Sequence, residues 1–301
     1  VRLYCILKQL NADIVVQIVA GAYTGIVAAY CKMQRVPMMW LLASDSDVSL
    51  DANVGLDGPF RRVDLPLFRY GARSATNVVA QTYQQAEKLQ EVYGRAPLEV
   101  IYSFHEKLGH QVKKRDRFTV VWIGNVKPLK RPELFIQLAS KMQGFGIEFK
   151  LAGRIGTSTW CAGIARSMDG IHGLEYLGEL DMDGVNELLE SSHLLVNTST
   201  YEGLPNVFIQ AWMREVPTMS LGVDPDNIIR HESVGAVCAS IEEMEQRIHE
   251  VFHDPRRRNE MGKRARRFSE ATCSMENVAR LSSLIDKTML ASDPTASEQL
   301  N

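Results

Sequence analysis

Residues 193–212 read HLLVNTSTYEGLPNVFIQAW. HLLVNTS is a short apolar run of the kind a buried strand shows, and PNVFIQAWMRE is amphipathic with a helical period. The join, TYEGLP, carries Gly203 for a tight turn and Pro205 for the first helical turn, where a missing N–H costs nothing. A strand running straight into a helix is half of a βαβ unit, and its first helical amides point into the crevice beyond the strand end. Such an N-terminus favours an anion. Glu202 stands at its mouth, and Gln210 lies about 7 Å along the axis from Pro205 at ~1.5 Å per residue. Spacing alone leaves two readings open. In one, Glu202 caps the helix and Gln210 is a surface residue. In the other, the pair holds two separate parts of an elongated ligand, with the carboxylate on sugar hydroxyls because it would repel the anion.

Outward from this stretch the same alternation recurs. Strands are expected at ADIVVQI, PMMWLLAS, ATNVVAQ and LEVIYS, with helices at YTGIVAAYCKMQR and TYQQAEKLQEVYG. After the polar, basic linker FHEKLGHQVKKRDR come strands at FTVVWIG, IEFKLAG, LEYLG, HLLVNTS, VPTMSL and GAVCA. Helices are expected at PELFIQLASKM, MDGVNELLES and PNVFIQAWMRE, and the end of the chain reads as helical. Continuous apolar strands between helices mean parallel sheets covered on both faces. The fold class is therefore α/β, with two tandem Rossmann-like doubly wound domains facing a cleft. The expected division is 1–108, 109–290 with the terminal helices, and a flexible tail at 291–301. The first half shows four strands against six and opens inside a helix-like pattern, so a preceding βαβ unit of ~30 residues is expected.

Composition limits the function classes. The 301 residues carry a net charge of −2, which does not suggest a nucleic-acid partner. Five scattered cysteines without a CxxC argue against a disulfide framework or zinc site and for a reducing compartment. The apolar window DIVVQIVAGAYTGIVAAYC is broken by Gln17, Gly21, Thr24 and Gly25, and divides better into a strand and a small-residue helix than into a membrane span. No signal peptide is expected. LAGRIG is not a GxGxxG fingerprint, and no Ser-His-Asp order with an elbow motif is visible. His105 and His193 read as linker and strand-start residues without ligand spacing.

A second phosphate-suited stretch is WIGNVKPLKRPELFI, where a strand ends at Gly124 and a loop with Lys127, Lys130 and Arg131 leads into a helix near Pro132. It reads equally as a solvated charged loop when taken alone. Together these stretches resemble the nucleotide-sugar-binding domain of family-4 retaining glycosyltransferases of the GT-B fold. Those enzymes show a Gly-Arg loop ending in Lys-Gly, a Gly-rich strand exit, and Glu, seven residues, Glu. Here Gly124 and Lys130 match, Asn125 replaces the arginine and Arg131 the second glycine. LAGRIG and YLGEL match the strand exits, Glu202 the first glutamate, and Gln210 stands at the second. The likeness is strong over 118–268 and weak over 12–101, and it implies that the first part of the N-terminal domain lies outside this sequence.

The resemblance implies a transferase that moves a sugar from a nucleoside diphosphate to a hydroxyl of a glycan or lipid-linked acceptor, with retention and without a metal or other cofactor. Glu202 and Lys130 would be catalytic. Asn125, Lys130, Arg131, Arg154, Gly203, Leu204, Asn206 and Gln210 would hold the donor, with Gln210 on the ribose. The departures at Asn125 and Gln210 imply weaker donor binding and leave open a non-catalytic relative that binds a sugar nucleotide or a partner transferase. In the first half, LLASDSDV places Asp45 and Asp47 after a strand. Asp45 is read as an acceptor-side or loop residue; metal binding by this pair is the weaker reading. The run DPRRRNEMGKRARRF is either a solvated helix face or a peripheral membrane contact. The expected location is cytoplasmic, at the inner face of the membrane if that contact is made.

Overall fold

The computed structural model describes residues 2–18, 20–48 and 61–292. The chain divides into two compact units: residues up to Ser103 together with those from Met275 on, and Phe104–Ser274. In the first unit β1 (Val15–Ile18), β2 (Met38–Leu41), β3 (Asn77–Ala80) and β4 (Glu99–Val100) form a parallel sheet in that order. Strand alternation gives the sheet two faces. Met38, Trp40, Val78 and Ala80 pack with α2 (Ala22–Gln34), α3 (Arg61–Ser74) and α4 (Tyr83–Tyr93). Met39, Val79 and Ile101 pack instead with Leu284 of α12 (Glu276–Ser292).

Two features here depart from the sequence expectation. Helix α12 lies with the first unit, not with residues 109–274. It is fixed by its apolar stripe, by the Arg280–Glu99 ion pair and by Asn77, which donates to Thr288 Oγ1 at 2.8 Å. The unit boundary falls after Ser103, and the helix runs two residues into the expected tail; residues 293–301 lie outside the described residues. The second departure is α3, which holds Pro66 and Gly71 yet is helical. Its glycine is needed: a Cβ on Gly71 would sit 2.5 Å from the Thr24 backbone, and one on Gly25 would sit 2.2 Å from the Leu67 carbonyl. Helices α2 and α3 thus touch backbone to backbone. A further helix, α1 (Arg2–Leu10), precedes β1.

The second unit has β5 (Thr119–Ile123), β6 (Glu148–Ala152), β7 (Leu174–Tyr176), β8 (Leu194–Asn197), β9 (Thr218–Leu221) and β10 (Gly235–Cys238). All pairings are parallel, in the order β10-β9-β8-β5-β6-β7. From β5 the chain winds outward through β6 and β7, then returns to β8 and winds the other way. The switch point, where ligands bind in such sheets, lies between β5 and β8. The crossovers use α5 (Pro132–Lys141), α6 (Thr159–Ser167), α7 (Met182–Ser191), α8 (Asn206–Met213) and the short α9 (Ile228–His231); α10 (Ile241–His253) and α11 (Pro255–Thr272) follow. The central strands β5, β6 and β8 are almost wholly buried, as strands covered on both faces are, whereas the edge strand β7 leaves Glu175 and Tyr176 exposed.

Residues 104–117 have no helix or strand, as the linker reading expects, but they are strapped to the second unit. Lys114 Nζ donates to the carbonyls of Arg214 at 2.7 Å and Leu189 at 3.4 Å, where α8 and α7 end. His193 Nδ1 accepts the Thr119 amide at 3.1 Å, and burial pushes its pKa down to about 4, so the ring is a neutral brace between β5 and β8. In α11 the basic run is largely engaged within the chain: Arg256 with Glu260, Arg257 with Glu250, Arg258 with the Val251 carbonyl and the Phe118 ring, Arg264 with the Ser233 carbonyl and Arg266 with Glu270. Among the described residues no helix is long and apolar enough to cross a membrane.

Burial of Lys114 pulls its pKa from an ordinary lysine's 10.5 down to about 7. Between those values Lys114 holds its proton more in the unfolded chain than in the folded one, so its contribution to stability rises with pH. Cys31, Cys238 and Cys273, whose thiols burial raises from 9.0 to about 11, oppose that rise in the upper part of the window. The expected slope is at most one proton, about 1.4 kcal/mol per pH unit. Urea unfolding at several pH values from about 7 to 8.5 should show it as a slope in the wild type that Lys114→Met lacks.

Candidate donor site at the switch point

Both stretches singled out in the sequence leave the sheet at the switch point. The exit of β5 runs through Gly124, Asn125 and Lys127 into a 3₁₀ turn, Pro128–Lys130, and then α5. The exit of β8 runs through residues 198–205 into α8. Pro205 stands just outside the first helical residue, and Asn206 opens the helix. Between the two exits, Lys130 forms an ion pair with Glu202. Both are partly buried, with side-chain exposures of 28% and 15%. The carboxylate at the helix mouth is therefore held by a cation from the neighbouring loop.

The exit of β6 lies against that of β5. Gly124 N–H donates to the Ala152 carbonyl at 3.0 Å, and Val126 N–H to the Arg154 carbonyl at 3.0 Å. Gly153 has φ 150°, and a Cβ there would meet the Gly124 carbonyl oxygen at 1.8 Å. The glycine is what allows the contact. It sets the exposed residues Asn125 and Arg154 on adjacent backbones, with exposed Lys127 one residue beyond the Val126 bridge.

The remaining expected residues are placed as follows. Gly203 is buried, the Leu204 side chain is buried at 3% exposure, and Asn206 is exposed, so Leu204 can offer a ligand only its backbone. Arg131 does not stand as a loose cation. Its Nε donates to the Thr198 carbonyl at 2.6 Å and its Nη2 to the Ser199 carbonyl at 3.1 Å. It adopts the left-handed region at φ 47°, which explains why the resembled pattern has glycine at this position. The left-handed conformation costs about 1–2 kcal/mol for a residue with a Cβ, and the two hydrogen bonds offset it. Gln210 is buried, with Nε2 donating to Asn186 Oδ1 of α7 at 3.3 Å.

In the first unit Asp45 is engaged by Lys88 at 3.3 Å and by Gln85 at 3.4 Å. Asp47 is buried and accepts backbone amides from Ala43, Ser44 and Ala20. Burial pushes its pKa up, against those hydrogen bonds. Asp47 thus organises its own loop. Among the described residues no three His, Cys, Asp or Glu side chains gather as a metal would need.

Sequence reasoning missed Trp122, Asn186, Asn197, Thr198 and Ser199. Trp122, Asn197 and Ser199 line a small cavity beside Lys130, Glu202 and Phe208. The missed signal was a run of small polar residues, Asn197–Thr198–Ser199, at the end of a buried strand, which need partners there.

Gly153→Ala should lower stability by about 2–4 kcal/mol, combining a glycine-only conformation with an overpacked backbone contact. The urea midpoint of the variant measures this. A midpoint equal to wild type would mean that the two loops separate freely.

The profile of the family described as Glycosyl transferases group 1 matches residues 103–268, more than half of the chain. Among curated proteins no match is found. Several solved structures share the fold. Sucrose-phosphate synthase from Thermosynechococcus elongatus superposes with a TM-score of 0.81 at 15% identity, over 97% of this chain and 77% of that one. HepE of Anabaena, solved with UDP, gives 0.76 at 14% identity, over 95% and 82%. TarM of S. aureus, solved with fondaparinux, alpha-GlcNAc-glycerol and UDP, gives 0.74 at 17% identity. The match covers 95% of this chain but 58% of TarM. The chain has the GT-B fold with its two parallel-sheet units, and it belongs to the group 1 glycosyl transferases.

Proposed function

We propose that this chain transfers a sugar from a nucleoside diphosphate to a hydroxyl of a glycan or lipid-linked acceptor, with retention of configuration and without a metal. One observation carries the reading: at the switch point a lysine and a glutamate from different loops meet beside the N-terminus of α8. A diphosphate needs cations and amide donors, and a hexose needs a hydroxyl acceptor; here they adjoin. Lys130, the amides of Gly203, Leu204 and Asn206, and the exposed Lys127 and Arg154 take the diphosphate. Glu202 takes the sugar hydroxyls, and Gln210, oriented by Asn186, takes the ribose.

In the reaction the bond from the anomeric carbon to the diphosphate oxygen breaks and the charge on that oxygen grows. Lys130 and the α8 amides stabilise it, which is the main catalytic term available. The acceptor oxygen bonds to the anomeric carbon from the same face, and its proton passes to the departing diphosphate. Fixed charges and amides do what a divalent cation does in other transferases, so chelation should leave the activity in place. Five free thiols suit a cytoplasmic location, and the lipid-linked acceptor would bring the chain to the inner face of the membrane.

UDP is the first probe, because HepE and TarM were solved with it, and GDP is the second. Calorimetric titration in EDTA should show binding of one of them. Lys130→Ala should weaken it about 10- to 100-fold, the loss of a charge-assisted contact. Glu202→Ala should cost more with the whole sugar nucleotide than with the bare nucleoside diphosphate. A folded chain that binds neither would overturn the donor site. Binding without turnover on any acceptor would favour the non-catalytic reading that the Gln210 and Asn125 departures leave open.

A further inference from the structure

Behind the Lys130–Glu202 pair the two loops are joined by bonds that the proposed reaction does not use. Thr198 is fully buried. Its Oγ1 accepts the indole N–H of Trp122 at 3.0 Å. The same hydroxyl donates its one proton toward the carbonyls of Lys130 at 2.6 Å and Arg131 at 2.9 Å. Arg131 returns the link, with its guanidinium on the carbonyls of Thr198 and Ser199. Thr200 N–H closes it on the Leu129 carbonyl at 3.0 Å. The β8 exit is thus tied to the three residues Leu129, Lys130 and Arg131 by main-chain and side-chain bonds together, and Trp122 anchors the knot to β5.

We propose that Thr198 and Arg131 are positioning residues that hold Lys130 against Glu202 and so fix where the diphosphate charge is met. The ligand part of this rests on the donor-site reading above; the link itself belongs to the free chain. The chemistry is specific. The hydroxyl must accept and donate at once, so Val, of the same shape, leaves a buried indole N–H and the Lys130 carbonyl unmet, whereas Ser keeps both bonds. The Arg131 fork spans two successive carbonyls, which a lysine ammonium, a point donor, does not reproduce. A merely structural role would lower the melting temperature and leave Lys130 where it is.

The test is amine labelling of the free chain, read by mass spectrometry, with exposed Lys127 on the same loop as internal reference. In Thr198→Val the Lys130-to-Lys127 labelling ratio should rise about threefold or more as local opening frees the ammonium, and Thr198→Ser should restore it. In parallel, UDP, GDP and the two nucleosides are titrated. Thr198→Val should lose about tenfold for the diphosphate that binds, one charge-assisted bond's worth, with the nucleoside unchanged. A folded Thr198→Val with the wild-type labelling ratio overturns the proposal. If the wild type binds neither diphosphate, the donor reading fails and the labelling ratio alone decides the link. If Thr198→Val does not fold, Arg131→Lys is read by the same ratio, with the same two outcomes.

Discussion

The second unit is organised by one reversal. A parallel sheet that winds outward from β5 in one direction and from β8 in the other leaves the exits of those two strands with no helix crossing between them. Everything at the candidate site follows from that gap. The β5 exit brings cations and the β8 exit brings a carboxylate and a helix N-terminus. The β6 exit fits alongside only because Gly153 has no Cβ. A side chain at that position would push apart the backbones that set Asn125 and Arg154 side by side.

Among the described residues every strand lies within a segment picked out in the sequence, most plainly β5 and β8, because a strand buried on both faces carries no polar alternation to confuse the reading. Helices were legible where an amphipathic stripe met ordinary helix formers, as in α5, α7 and α8. They were not legible where local chemistry opposed the outcome. Helix α3 carries Pro66 and Gly71, both breakers by propensity, and its reason for being helical is a close crossing with α2 that only glycines at 25 and 71 permit. Helix α6 is rich in small residues, with Cys161 and Ile164 as its only buried positions, so its period is weak. The place of α12 was hidden for a different reason. Its stripe shows that it packs, but nothing local says that the partner is a sheet some two hundred residues earlier in the chain.

The site divides the same way. Lys130 and Glu202 could be picked out because charged residues at strand ends have few structural uses. Arg131 was also picked out as a charge, yet its work is on backbone carbonyls, and that role depends on a left-handed φ that no sequence period encodes. Thr198 was invisible for the opposite reason: a threonine at the end of a strand is unremarkable until the indole N–H it serves is known.

The question raised by a carboxylate at the mouth of a helix has a physical answer in the cation that meets it. Alone, Glu202 would stabilise the α8 dipole and repel any phosphate placed at the same end. Paired with Lys130 it does neither at full strength, and the local charge is close to balanced. On the proposed reading an incoming sugar diphosphate divides the pair by chemistry: the hydroxyls go to the carboxylate, the phosphates to the ammonium and the amides. A ligand with only one of those groups satisfies one partner and leaves the other to be rehydrated or re-paired. Selectivity for a whole sugar nucleotide over its parts then arises from the pair itself, and the neutral amide at Gln210 limits how much the ribose can add.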